Sequence, residues 1–83
     1  MSIIERTEIA KRLWALLVPV VPAPSDAQFA RWASRFSEPD METAFGKVGR
    51  KIRREGMRDR TELDIWRYTT GCLLNRQSPQ RHQ

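Results

Sequence analysis

Between Gly46 and Arg60 the chain reads GKVGRKIRREGMRDR, with seven basic residues against two acidic ones. The 83 residues carry 15 Lys and Arg, 10 Asp and Glu, and a net charge of +5. This one stretch supplies the whole excess, because the rest of the chain balances eight basic residues against eight acidic ones. A basic excess confined to one segment points to an anionic partner, whether nucleic acid, an acidic protein surface or lipid headgroups. Arginine outnumbers lysine five to two here, and its planar fork matches phosphate oxygens better than the point charge of lysine. The plainer alternative is a solvated helix side with no partner.

Other chemistry has little to build on. Cys72 is the single cysteine and His82 the single histidine, so neither an internal disulfide nor a zinc ligand set can be assembled. Cys72 reads as a small buried hydrophobe. The close carboxylates are Glu62 with Asp64, and Glu38 with Asp40 and Glu42; they fall in first helical turns, where the helix dipole accounts for them. No glycine-rich phosphate loop follows a strand. The expectation is a protein without catalysis, metal or cofactor, in a reducing cytoplasm. The apolar run Leu13 to Val21 is interrupted by Pro19, preceded by Glu5 and Glu8, and too short to span a bilayer.

The elements that would position the basic stretch are helices. Ser2-Ile-Ile-Glu5 has the form of a capping box, and helix one should run to about Leu17. Its apolar face is Ile9, Leu13, Leu16 and Leu17, with Ala10 and Trp14 at the margins. Prolines 19, 22 and 24 form a stiff extended strap. Ser25 to Gln28 offers a second capping box before a short helix that must bury Phe29, Trp32, Ala33 and Phe36. Ser37-Glu-Pro-Asp40 opens a third helix, with Met41, Ala44, Phe45, Val48 and Ile52 as its apolar stripe and Gly56 as its stop. At 100° per residue Lys47, Arg50, Lys51 and Arg54 fall opposite that stripe, and Arg58 and Arg60 continue the charge into the next loop.

Asp59 or Thr61 can cap a last helix through about Asn75. Apolar residues surround much of its circumference, which places it in the middle of the domain or in a dimer seam. The fold class is therefore all-α: a compact bundle of about four helices over residues 1–76, with a disordered tail over 77–83. Leu13, Phe29, Trp32, Phe45, Val48, Ile52, Trp66 and Leu73 should form the core. Helix one either folds back on its own domain or exchanges with a second chain, giving a homodimer. Glycines 46 and 49 inside a helix cost about 1 kcal/mol each relative to alanine, so either a neighbouring helix or a phosphate backbone should approach them closely.

Tyr68-Thr-Thr-Gly-Cys-Leu-Leu-Asn75 resembles the Tyr-x-x-Gly-Ile-Leu-x-Asn signature that ends the last main helix of DnaD-like domains. Those domains occur in replication-initiation and helicase-loading proteins of bacteria and phages. Tyr68, Gly71, Leu73 and Asn75 match at the same spacing, and the resemblance extends over about Phe29 to Asn75. Cys72 stands at the family's apolar position after the glycine, and Arg76 replaces its frequent tryptophan after the asparagine. The resemblance implies binding of single- or double-stranded DNA, self-association and contact with a replicative helicase.

Together these readings give a nucleic-acid-binding accessory protein of replication initiation or a related phage or mobile-element process. Its expected phosphate contacts are Lys47, Arg50, Lys51, Arg54, Arg58 and Arg60. The alternative is an adaptor or inhibitor whose basic stripe engages an acidic protein surface, including one that imitates DNA.

Overall fold

A computed structural model of the chain describes residues 2–18, 21–56 and 60–77. The described residues form four helices and no strand: α1 (Ile3–Leu17), α2 (Asp26–Arg35), α3 (Glu38–Glu55) and α4 (Glu62–Gln77). Local chemistry sets each boundary. Ser2 Oγ accepts from the Glu5 N–H at 3.2 Å while the Glu5 carboxylate accepts from the Ser2 N–H at 3.0 Å, closing a capping box. Ser25 and Ser37 cap α2 and α3 through the N–H groups of Gln28 and Asp40. Thr61 starts α4, exchanging hydrogen bonds of 3.0 and 3.1 Å with Asp64; Asp59, the other expected cap, lies outside the described residues. Gly56 ends α3 at φ 74°, a conformation that costs glycine little. Residues 21–25 carry no helix, and Val21 and Pro24 are buried. Pro19, at the start of the expected strap, and the tail beyond residue 77 lie outside the described residues; helical backbone reaches Gln77, two residues past the expected end.

The domain is a slab of 36 × 35 × 18 Å, its short dimension fitting about two helix diameters. Arg6 Nη2 donates to the Phe36 carbonyl at 2.8 Å near the start of α3, and the end of α1 meets Gly49. The two helices therefore run parallel and pack on each other, and α2 lies chiefly against the first half of α1, Asp26 meeting Lys11 and Phe36 meeting Arg6. α3 and α4 form an antiparallel hairpin, Arg60 meeting Glu55 at its closed end and Tyr68 lying under Lys51 further along. Of the two places expected for α4, the middle of the domain or a dimer seam, the first is not found: α3, with α1 and α4 both packed closely on it, is the central helix. α4 covers the other side of α3, leaving Leu63 49% exposed and Trp66, Tyr68 and Leu74 half-buried.

The core is centred on four rings from three helices. Trp14 stacks on Trp32 at 5.8 Å and 22°, and meets Phe29 and Phe45 edge-on at 6.1 and 5.3 Å. The Trp32 indole N–H reaches α4, donating to Thr70 Oγ1 at 3.1 Å. Of the expected core residues, Phe29, Trp32, Phe45, Val48, Ile52 and Leu73 are buried, whereas Leu13 and Trp66 are only partly so. α1 is also rotated from its expected orientation: Ala10 and Trp14 occupy the middle of the buried face and Leu16 is 76% exposed. The reason is area, since one indole in the ring cluster removes more apolar surface from water than leucine does. Because Ala10, Trp14 and Val18 belong to this core, α1 folds back on its own domain.

The two helical glycines of α3 have different reasons. A Cβ on Gly49 would collide with the Leu17 carbonyl oxygen, so this glycine is what lets the end of α1 approach α3. Near Gly46 the closest atom is Arg50 Nη1 at an ordinary 3.5 Å, and Gly71 on α4 meets nothing within 4 Å. Gly49→Ala should therefore lower stability by about 1–3 kcal/mol, despite the better helix propensity of alanine. Gly71→Ala should raise stability by up to about 1 kcal/mol. Denaturant titration of the two variants checks the opposite signs. In the same assay Trp14→Ala should cost about 3–5 kcal/mol, and Trp66→Ala distinctly less because that ring is already partly exposed.

Candidate nucleic-acid interface

The outer side of α3 is fixed by its inner side. Met41, Ala44, Phe45, Val48, Gly49 and Ile52 are buried, so residues about half a turn away must face solvent. Lys47, Arg50, Arg53 and Arg54 are exposed there. Lys47, Arg50 and Arg53 have no carboxylate within ion-pair distance among the described residues. Arg53 was not among the expected contacts; it lies toward the α1 edge of the exposed arc, next to Arg50 one turn back. Only the exposed width of the arc reveals it, because helical angle alone puts it close to Gly49.

Lys51 departs from the expected stripe. It faces α4, its Nζ 5.1 Å from the Tyr68 ring centroid and 3.1 Å from Glu55 Oε2. Its side chain is 22% exposed. Glu55 also holds Arg60 at 2.9 Å and lies 3.7 Å from Arg54. The cations thus divide into a set without acidic partners on the outer face of α3 and a set gathered on one carboxylate where α3 meets α4. Arg58, the remaining expected contact, lies outside the described residues.

The residues of the Tyr-x-x-Gly pattern fall on different sides of α4. Leu73 is fully buried, Tyr68 is half-buried beneath Lys51, and Gly71 and Asn75 are exposed. Burial holds the Tyr68 hydroxyl above its usual pKa, and the neighbouring Cys72 thiol adds to the effect. An open groove of about 380 Å³ between the starts of α1 and α2 is lined mainly by Ile3, Ile4, Thr7 and Ala30. Its two carboxylates, Glu8 and Asp26, are both engaged by Lys11 at 3.3 Å. Among the described residues no three His, Cys, Asp or Glu side chains gather as metal ligands, and no helix is long and apolar enough to cross a membrane.

The fold and this face define a small helical bundle with one basic helix side. No family model matches the chain, and neither a curated protein nor a solved structure matches it.

The carboxyl of Glu55 is held below its usual range, first by the hydrogen bond from Lys51 and then by the charges of Lys51, Arg60 and Arg54. That of Asp64 is lowered chiefly by the Thr61 backbone N–H that it accepts. Both groups bind a proton less readily in the folded state, so their stabilisation is complete above the ordinary carboxylate range, about pH 4. It is lost as pH falls through the lowered folded values. Lys11 has the opposite sign: Asp26 and then Glu8 raise its pKa, so its contribution is lost only as pH climbs through the raised value. Thermal melts should accordingly be flat between about pH 5 and 8 and fall below about pH 4. Glu55→Gln with Asp64→Asn should make that acid limb shallower; an unchanged limb would show that other carboxyls govern it.

Proposed function

We propose that this protein binds nucleic acid through the outer face of α3, as a non-catalytic cytoplasmic accessory factor in replication initiation or a related phage or mobile-element process. The observation that carries the reading is the set Lys47, Arg50 and Arg53: exposed on one helix, without acidic partners among the described residues. Cations that are not internally neutralised are available to replace the counterions of a phosphate backbone. The helix is anchored by a continuous buried stripe, so the side chains project from a stiff support. Lys47 to Arg54 rises about 10 Å along the axis, close to three nucleotide steps of one DNA strand at about 3.4 Å each. The replication setting, with a helicase as protein partner, rests on the resemblance carried by Tyr68, Gly71, Leu73 and Asn75.

A second reading, engagement of a protein surface, has one observation in its favour. Leu16 is 76% exposed and Ile9 half-buried on the same outer side of α1; a protein partner or a second copy would cover them, and a phosphate backbone would not.

Binding titrations with single-stranded and duplex DNA at several salt concentrations separate these readings. Arg50→Gln with Arg53→Gln should reduce the slope of log affinity against log salt by nearly two on duplex DNA, about 0.9 per contact. The loss should be much the same for every base sequence, because phosphate contacts position the protein without reading bases. Arg31→Gln with Arg35→Gln, on α2, should leave the slope close to the parent's. Equal losses from both pairs would mean diffuse charge rather than a site. Absence of DNA binding at low salt would leave the protein-surface reading.

A further inference from the structure

Glu55 is the last residue of α3, where the unpaired carbonyls of a helix end disfavour negative charge. It also stands four residues after Lys51, and a lysine followed by a glutamate is the weaker of the two orders for such a pair. Helix stability therefore gives no reason for an acid at this position.

Its surroundings do give one. Lys51 Nζ lies 3.1 Å and Arg54 Nη2 3.7 Å from Glu55 Oε2, and Arg60 Nη2 donates to Oε1 at 2.9 Å. Arg60 comes from the far side of the Gly56 turn, so the seat spans the α3–α4 connection. Three cations converging on the oxygens of one small anion is also how a phosphate group is held, since phosphate oxygens accept the same charge-assisted bonds.

We infer that Lys51, Arg54 and Arg60 form a phosphate seat, and that the Glu55 carboxylate fills it in the free protein as an internal stand-in that a nucleic-acid phosphate displaces. This rests on the nucleic-acid reading of α3. The Glu55 side chain is 37% exposed, and rotation about its own bonds carries the carboxylate into water without disturbing the core. A free phosphate gains little, because it must compete with a carboxylate tethered beside the cations. A polymer already held by Lys47, Arg50 and Arg53 presents its next phosphate at high effective concentration. The stripe therefore docks first and the seat exchanges second, which favours long polyanions over small ones.

The test compares the parent chain with Glu55→Gln, using a 20-nucleotide single strand, its duplex and inorganic phosphate as probes. Glutamine preserves helix and size, and exposed ion pairs contribute little to stability, so circular dichroism should show an intact fold. Glu55→Gln should bind the duplex several-fold more tightly near 0.1 M salt, because no carboxylate has to be displaced, while its salt slope stays within about one of the parent's, since both complexes neutralise the same phosphates. Inorganic phosphate should shift the Arg54 and Arg60 side-chain NMR signals in Glu55→Gln and not in the parent. In the parent, saturating duplex should shift the Arg60 signal, a readout that needs no variant. An unmoved Arg60 signal at saturation, or an unchanged duplex affinity in folded Glu55→Gln, would overturn the exchange. If Arg50→Gln with Arg53→Gln still weakens binding in that case, the stripe reading survives alone; if the parent binds no DNA, both fall.

Discussion

Four aromatic rings contributed by three helices meet in the centre of this domain, and most of the remaining geometry is a consequence of bringing them together. Trp14, Phe29, Trp32 and Phe45 are each no more than 2% exposed. In a chain of 83 residues the core is small relative to the surface, and aromatic side chains, burying about 150–250 Å² each, dominate what it can gain. For α1 and α3 both to reach the cluster, their backbones must approach closely, and the missing side chain at Gly49 permits that approach to the Leu17 carbonyl. With one side of α3 committed to the cluster, its other side has no choice but to face water. The exposure of Lys47, Arg50 and Arg53 thus follows from the packing of the other side of the helix.

Charge is distributed along α3 as well as around it. Glu38 and Asp40 occupy its first turn and Arg53 and Arg54 its last, each sign favoured by the nearby end of the helix dipole. Glu55 alone runs against this pattern, and it alone gathers cations from both helix and loop. At the joint between α3 and α4 these long, partly exposed side chains lie outside the buried Ile52, Ile65 and Leu73 of the core.

Much of the fold was legible in the sequence because the signals were local. Ser2, Ser25, Ser37 and Thr61 each stand where a free backbone N–H needs an acceptor, and Gly56 stands where a positive φ is needed. The stripes of α2 and α3 are unambiguous because polar residues bound them on both sides. α1 is ambiguous because apolar residues cover two of its flanks. Counting leucines favoured the flank of Ile9 and Leu16, whereas the packed structure chose Trp14, and that choice depends on partners distant in sequence. α4 presents the same ambiguity around nearly its whole circumference, and among the described residues it packs closely on α3 alone. In the candidate interface, Lys47, Arg50 and Arg54 follow from helical angle. Lys51 does not, because its position over Tyr68 depends on which side α4 packs, and the exposure of Arg53 likewise depends on how α1 packs along the other edge.

The Trp14–Trp32 pair has an optical consequence. Two indoles held 5.8 Å apart in a fixed, asymmetric core give a near-ultraviolet circular-dichroism signal that freely turning rings lack. One ring belongs to α1 and the other to α2, so the signature exists only while those helices are docked. The far-ultraviolet signal, in contrast, depends chiefly on backbone conformation. The domain therefore carries its own spectroscopic means of distinguishing loss of side-chain packing from loss of helix, the distinction that separates a compact disordered-core state from an unfolded one.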